Sequence, residues 1–186
     1  ARKRAEAYLE YLGKHDVLTK LYNRSFYVDE MNRPERSGVA PITIVVADLN
    51  GLKAMNDELG HAAGDELLRR AGEAFNEAVK APGRAARIGG DEFALLLPGT
   101  TEDAAALLIE DLRKVVELNN QFYAGPALSF ALGTATAAPG ERLEDVVKRA
   151  DDFMYRAKRV FYAPGATKGY TPQSQVLGAP LPYRAR

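Results

Sequence analysis

Apolar and polar positions along the chain change period from segment to segment. Ala5, Tyr8, Leu9 and Leu12 are spaced as one helical face, so residues 1–12 predict the end of an amphipathic helix. Residues 16–33 predict a second helical stretch, stopped by Pro34. The run ITIVVADLN, residues 42–50, is β-branched and apolar and closes on polar residues, which predicts a central strand. A loop is expected over residues 51–64. A helix follows from about 65 to 79, with Leu68, Ala71, Phe75 and Val79 on one face. Residues 84–88 and 92–97 predict two strands flanking Gly89-Gly90-Asp91, a β-hairpin with a glycine-rich tip. Thr100 or Thr101 is placed to cap the next helix, whose inward positions are Leu108, Leu112 and Val115. Residues 127–137 predict another strand. Residues 141–160 predict a helix with Leu143, Val147, Ala150, Met154 and Ala157 inward. Residues 164–186 are rich in Pro and Gly and aperiodic, which predicts a loose tail with room for one short edge strand. Strands and helices mix without strict alternation, which predicts an α+β sandwich: an antiparallel or mixed sheet with helices on its faces.

Composition narrows the chemistry. The 186 residues suit one domain of ordinary size, and 46% hydrophobic content is enough for a core. Lys plus Arg equals Asp plus Glu at 25 each, which argues against nucleic acid as the main partner. With no cysteine, disulfides, thiolate catalysis and zinc–cysteine sites are excluded. No apolar run approaches the roughly 20 residues needed to span a bilayer, and no signal peptide is visible, so no membrane contact and a cytoplasmic location are expected. The opening ARKRAEAYLEYLGKHD starts in mid-helix pattern without an initiator Met, which reads as a piece of a longer protein.

The chemistry concentrates in RIGGDEFALLLPG, residues 87–99. A carboxylate beside a buried strand is costly unless a cation pairs it. Asp48 ends the first central strand, and Asp91 and Glu92 sit at the hairpin tip, so neighbouring strands would bring all three to one sheet edge. Hard oxygen ligands without His or Cys suit Mg²⁺, which binds through one or two carboxylates plus substrate phosphates. Two such ions about 4 Å apart would clamp the attacking and leaving oxygens of a phosphoryl transfer. Gly89 and Gly90 would let the backbone approach phosphates closely. Taken alone, a glycine–acid turn is more often just a tight turn with surface acids. In the loop LNGLKAMNDELGHAAGD, Asn56, His61 and Asp65 are polar and closely spaced. Their ordinary reading is capping by Asn56 and Asp65, with His61 a satisfied loop residue. Lys53 alone reads as a solvated charge.

The conjunction is more specific than any part. Asp48, Lys53, Asn56, Asp57, Gly60, His61, Gly64 and Asp65, followed by RIGGDEF, resemble the GGDEF domain of diguanylate cyclases. DVLTKLYNR resembles that family's opening motif, and ADDFMYRAK, residues 150–158, its late helix. The resemblance spans residues 16–158. It implies an α+β fold: a nucleotide-cyclase or palm-like, mostly antiparallel central sheet flanked by helices and carrying the GGDEF β-hairpin. It implies residues 1–15 as the end of a signalling helix, 16–163 as the catalytic domain and 164–186 as a tail. The implied reaction condenses two GTP into cyclic di-GMP and two pyrophosphates across a transient homodimer, under an upstream sensory domain. The implied cofactor is a pair of Mg²⁺ ions, with Mn²⁺ as a substitute. Asp48, the Leu49 carbonyl, Asp91 and Glu92 are then metal ligands. Asp91 accepts the 3′-hydroxyl proton, with Glu92 assisting. Lys53 steadies the transferring phosphoryl group. Asn56 and Asp65 read guanine, His61 joins their pocket, Gly89 and Gly90 face the triphosphate, and Lys158 contacts phosphate.

Three departures stand out. Asn50 stands where many members carry a second Asp. Tyr162 stands where the family carries an Arg that grips phosphate, with Arg159 or Lys168 as stand-ins. Lys80 and Gly83 replace the R-x-x-D pair of the family's product-inhibition site, so that site is expected to be absent or weak. Intact Asp48, Asp91 and Glu92 favour an active enzyme. The changed Arg position leaves a catalytically weak or silent GTP-binding signalling module as the alternative.

Overall fold

The computed structural model describes residues 1–36, 38–163 and 171–178. The chain begins with α1 (Arg2–Lys14) and α2 (Arg24–Met31) and enters the central strand β1 (Ile42–Leu49). Two helices follow, α3 (Leu52–Leu59) and α4 (His61–Ala78), and then the hairpin of β2 (Arg84–Arg87) and β3 (Glu92–Pro98). The long helix α5 (Glu102–Phe122), β4 (Phe130–Thr136), α6 (Leu143–Tyr162) and β5 (Ser174–Leu177) complete it. The strands form one antiparallel sheet in the order β2-β3-β1-β4-β5.

All eight residues of β1 are buried, because β1 has a strand on each side and helices over both faces. The two-residue period of a strand then sorts its side chains. Val45, Ala47 and Leu49 enter the larger core with Leu67, Ala71 and Phe75 of α4 and Ile109, Leu112 and Val116 of α5. Phe75, Phe93 and Phe130 stack at its centre, with ring centroids 5.0–6.0 Å apart. Ile42, Ile44 and Val46 face the other way, against Val146, Ala150 and Met154 of α6 and Tyr27 and Met31 of α2. The same alternation puts the side chain of Asp48 on the α6 side. There α6 lies almost on β4: a Cβ at Gly133 would sit 2.0 Å from the Ala150 carbonyl oxygen. That close approach carries Lys158 to the end of β1.

The antiparallel sheet, the hairpin, the Thr101 cap and a short edge strand agree with the sequence pattern; the Thr101 hydroxyl accepts from the Ala104 amide. Three expectations need correction. Residues 16–22 are not helical. The Asp16 carboxylate accepts from both the amide and the hydroxyl of Thr19, Lys20 takes a left-handed φ of 64°, and a helix begins only after the Asn23 cap. Such side-chain-to-backbone bonds compete with the helix. Residues 52–59 are a helix, not a loop. Leu52 and Met55 pack on the core, and Gly60, at φ 88°, turns the chain into α4. Asn56 and Asp65 therefore lie inside helices and cap neither. On α5 the buried stripe is Ala105, Ile109, Leu112 and Val116, about one residue off the expected face, with Leu108 and Val115 at its margin.

Candidate active site

The catalytic edge is where β1 ends. Asp48 pairs across the sheet with Glu92, and the Leu49 amide donates to the Asp91 carbonyl at 2.8 Å, which fixes the hairpin tip against β1. The Asp48 side chain is 5% exposed. Its Oδ2 accepts from Lys158 Nζ at 2.8 Å, and its Oδ1 is buried with no partner among the described residues. Burial pushes the Asp48 carboxyl up to about 6; the Lys158 ammonium pulls against this, and the neighbouring Asp91 carboxylate adds to it. Burial opposes the charge on Lys158, but its bond to Asp48 outweighs that and raises it. The site thus holds two carboxylates pressed together with one ammonium between charges that do not balance.

Such a pair has room for a cation. Among the described residues no three His, Cys, Asp or Glu side chains converge. The oxygen donors the structure brings together here are the orphaned Asp48 Oδ1 and the neighbouring Asp91 carboxylate. This fits a hard ion that keeps most of its waters and takes phosphate oxygens, as Mg²⁺ does, and not a closed protein cage. Glu92 is exposed, and its Oε2 comes within 3.1 Å of where a Cβ on Gly89 would lie, so it leans over the turn. A Cβ on Gly90 would meet nothing within 4 Å, which leaves that side of the tip open to a ligand.

Arg87 braces the tip. Its guanidinium donates to the carbonyls of Gly89 and Gly90 at 2.9–3.2 Å and to Asp16 at 3.3–3.4 Å. Burial raises the Asp16 carboxyl, but the two bonds from Thr19 and the charge of Arg87 outweigh this and hold it below the ordinary range. Sequence reasoning assigned no role to either residue. The only signal was an Arg directly before the glycine pair and an Asp opening DVLTKLYNR.

The other expected residues are spread along α3 and α4. Gly51, at φ 79°, starts α3, whose first turn has no side-chain cap. Gly51 follows Leu49 by two residues, so the positive end of α3 begins close to the catalytic edge in the chain, a favourable place for anions. Lys53 is exposed on α3, without a hydrogen bond or ion pair among the described residues. Asn56 is packed against α4, with a buried Oδ1 that has no partner. His61 and Asp65 are exposed, one turn apart on α4. Asp65 lines a groove of about 740 Å³ with Val17, Leu18, Thr19 and Arg69, a size that would admit a nucleobase. The apolar wall from Val17 and Leu18 is another contribution the sequence pattern did not reveal.

The departures resolve in part. Asn50 is buried and ties the loop to the lead into β4, its amide nitrogen donating to Ser129 Oγ at 3.1 Å and its backbone amide to the Ser129 carbonyl at 2.8 Å. Gly83 donates to the Lys80 carbonyl in a tight turn, and Lys80 Nζ reaches back to the Asn76 carbonyl. Arg159 is exposed, and Lys168 lies outside the described residues. No described helix is long and apolar enough to cross a membrane.

The chain resembles known proteins over most of its length. The family model described as "Diguanylate cyclase, GGDEF domain" matches residues 13–160. The chain is 34% identical over 151 residues to diguanylate cyclase DosC of Escherichia coli, covering 77% of this chain and 33% of that one. It is 37% identical over 166 residues to an uncharacterized protein of Mycobacterium tuberculosis, covering 85% of this chain and 26% of that one. It therefore spans about a quarter to a third of the length of these curated relatives. Among solved structures, the coiled coil and GGDEF domain of DgcB from Caulobacter crescentus, in complex with c-di-GMP, superposes with a TM-score of 0.74. That match is 30% identical and covers 84% of this chain and 88% of the other.

Proposed function

Because this chain belongs to the diguanylate cyclase GGDEF-domain family, we propose that it condenses two GTP into cyclic di-GMP and two pyrophosphates, working in the cytoplasm as a transient homodimer in a longer, sensor-bearing protein. One observation carries the proposal. Asp48 and Asp91 share the open end of the central strand, and one buried Asp48 oxygen has no partner among the described residues, a place for a cation to bind. Asp48, Asp91 and the Leu49 carbonyl would hold Mg²⁺, or Mn²⁺ in its place, with Glu92 beside them. When bound, the ions supply charge neutralisation at the reacting phosphate.

The chain's own groups do the rest. Asn56 and Asp65 hold guanine, with His61 at the rim, and so fix where the triphosphate lies. The α3 amides, Lys53, Gly89 and Gly90 receive the phosphates. Lys158 leaves Asp48 and turns to a phosphate oxygen. Asp91 takes the 3′-hydroxyl proton as that oxygen attacks the α-phosphate of the other GTP. One P–O bond forms, the bond to pyrophosphate breaks, and pyrophosphate leaves with the electron pair. The second step repeats this in the opposite sense. One domain holds one GTP, so two domains must meet with their hairpins opposed, a two-fold arrangement.

The test is incubation with GTP and Mg²⁺ followed by separation of products. Cyclic di-GMP and pyrophosphate are expected from GTP, and little product from ATP. GTP binding without turnover would establish the silent-module alternative instead.

A further inference from the structure

The last turn of α6 touches the candidate site twice. Lys158 pairs with Asp48. One turn later, the Tyr162 hydroxyl accepts from the backbone amide of Gly51 at 3.1 Å, across 111 residues of sequence. Gly51 ends the loop from β1 and precedes the first turn of α3. No side chain caps that turn, so the Tyr162 hydroxyl is what the described residues place at its entrance. Tyr162 follows Lys158 by one turn of α6, so the two side chains flank the same end of the site. Tyr162 is also 56% exposed, so the far side of its hydroxyl is open.

A phenol can accept and donate at once. In accepting from Gly51, Tyr162 leaves its own O–H proton unused. That proton is available to a ligand at the N-terminal end of α3, where an anion is favoured. We propose that Tyr162 is the phosphate-positioning residue of this site: its hydroxyl pins the Gly51 amide to α6 and donates its own proton to a terminal phosphate oxygen of the nucleotide. The proposal rests on the reading of the site as a GTP site. It assigns to a neutral donor a place that the resemblance reserves for a guanidinium. Lys158 then supplies formal charge beside Asp48, while Tyr162 supplies direction. The aromatic ring keeps the hydroxyl in place, standing edge-on to Phe161 with centroids 4.9 Å apart, and Phe161 itself packs under β4 and β5.

The phosphate contact separates from a structural role by which ligands feel it. Tyr162→Phe keeps the ring and removes only the oxygen. Affinity of the 186-residue chain for a non-hydrolysable GTP analogue with Mg²⁺ is measured by calorimetry, beside affinity for guanosine, which lacks phosphates. One hydrogen bond to a charged phosphate lost should weaken the GTP analogue about ten- to 150-fold and leave guanosine unchanged. In turnover, KM for GTP should rise by about the same factor, with kcat within about twofold, since the contact is made equally in ground and transition states. Equal affinity of parent and variant for the GTP analogue would overturn the proposal. Equal weakening of analogue and guanosine would also overturn it, by showing that Tyr162 only shapes the loop. A parent that binds the analogue but makes no product still decides the question through the binding arm. A parent that binds neither ligand refutes the GTP-site reading itself, and this proposal with it.

Discussion

Gly64→Ala should make the protein more stable and the site worse. Gly64 lies in the first turns of α4, facing α3. A Cβ built there falls 1.8 Å from Asn56 Oδ1, 2.8 Å from its Cγ and 3.3 Å from its Nδ2. Every close atom belongs to the end of one side chain, so no backbone need move. The Asn56 amide must retreat from 1.8 Å to at least the 3.4 Å of ordinary contact. Two opposite effects follow. Alanine for glycine inside a helix is worth about 1 kcal/mol, and the displaced Oδ1, now buried without a partner, gains access to water. For a domain of this size that raises the melting temperature by about 2–4 °C. On the proposed reading, guanine loses the Asn56 amide that holds it. A polar group left unpaired costs about 1–3 kcal/mol, or roughly a 5- to 150-fold drop in kcat/KM for GTP. Preference for GTP over ATP should shrink in step, because the lost contact reads the base. Thermal melts and initial rates with both nucleotides decide it. Parental kcat/KM in the variant would sink the role of Asn56. A loss of stability together with activity would show that the helices had shifted, and that Gly64 serves packing alone.

Asp91→Asn should abolish turnover while leaving the melting curve near parental, since it removes charge from a turn and makes no cavity; product formation near the parental rate would reject the metal assignment. Asp48 is raised from 3.8 to about 6, so its contribution to stability is present below pH 4 and lost as pH rises through about 6, a change of about 3 kcal/mol. Asp48→Asn should therefore be more stable than the parent at pH 7, with the gap closing by pH 4, and added Mg²⁺ should stabilise the parent only; a pH-independent gap would refute the raised value. Calorimetric titration with cyclic di-GMP should show no tight binding at the Lys80–Gly83 turn; tight binding abolished by Lys80→Ala would restore a product site there. Turnover by dilute chain should rise with about the square of its concentration, because α1 offers under four turns and buries no residue, too little for a stable coiled coil; a rate strictly proportional to concentration from a monomer would refute the two-domain mechanism.

Much of this protein is written in short-range pattern. The run of residues 42–49 could only be a strand with both faces covered, and Gly89-Gly90 between two apolar runs could only be a turn. The α6 face shows in its spacing, with Ala150, Met154 and Ala157 buried as expected. The proposed site residues Asp48, Asn56, Asp65, Asp91 and Lys158 stand out in the sequence because each belongs to a local signature. The segment from 51 to 64 reads as a loop because of its polar residues and glycines, and only packing of Leu52 and Met55 on the core makes it helical. Residues 16–22 show the reverse: their apolar spacing suits a helix, but Asp16 binds Thr19 and Arg87 and holds the backbone elsewhere. The contacts that decide the site join residues far apart in sequence. Asp16 meets Arg87, Lys158 meets Asp48, and Tyr162 meets Gly51. No periodicity records such pairs, because they exist only once strand register and helix docking have set the distances. Sequence therefore determined which groups could do the chemistry, and tertiary structure decided which of them touch, since charge and hydrogen bonding act over a few ångströms of space whatever their separation along the chain.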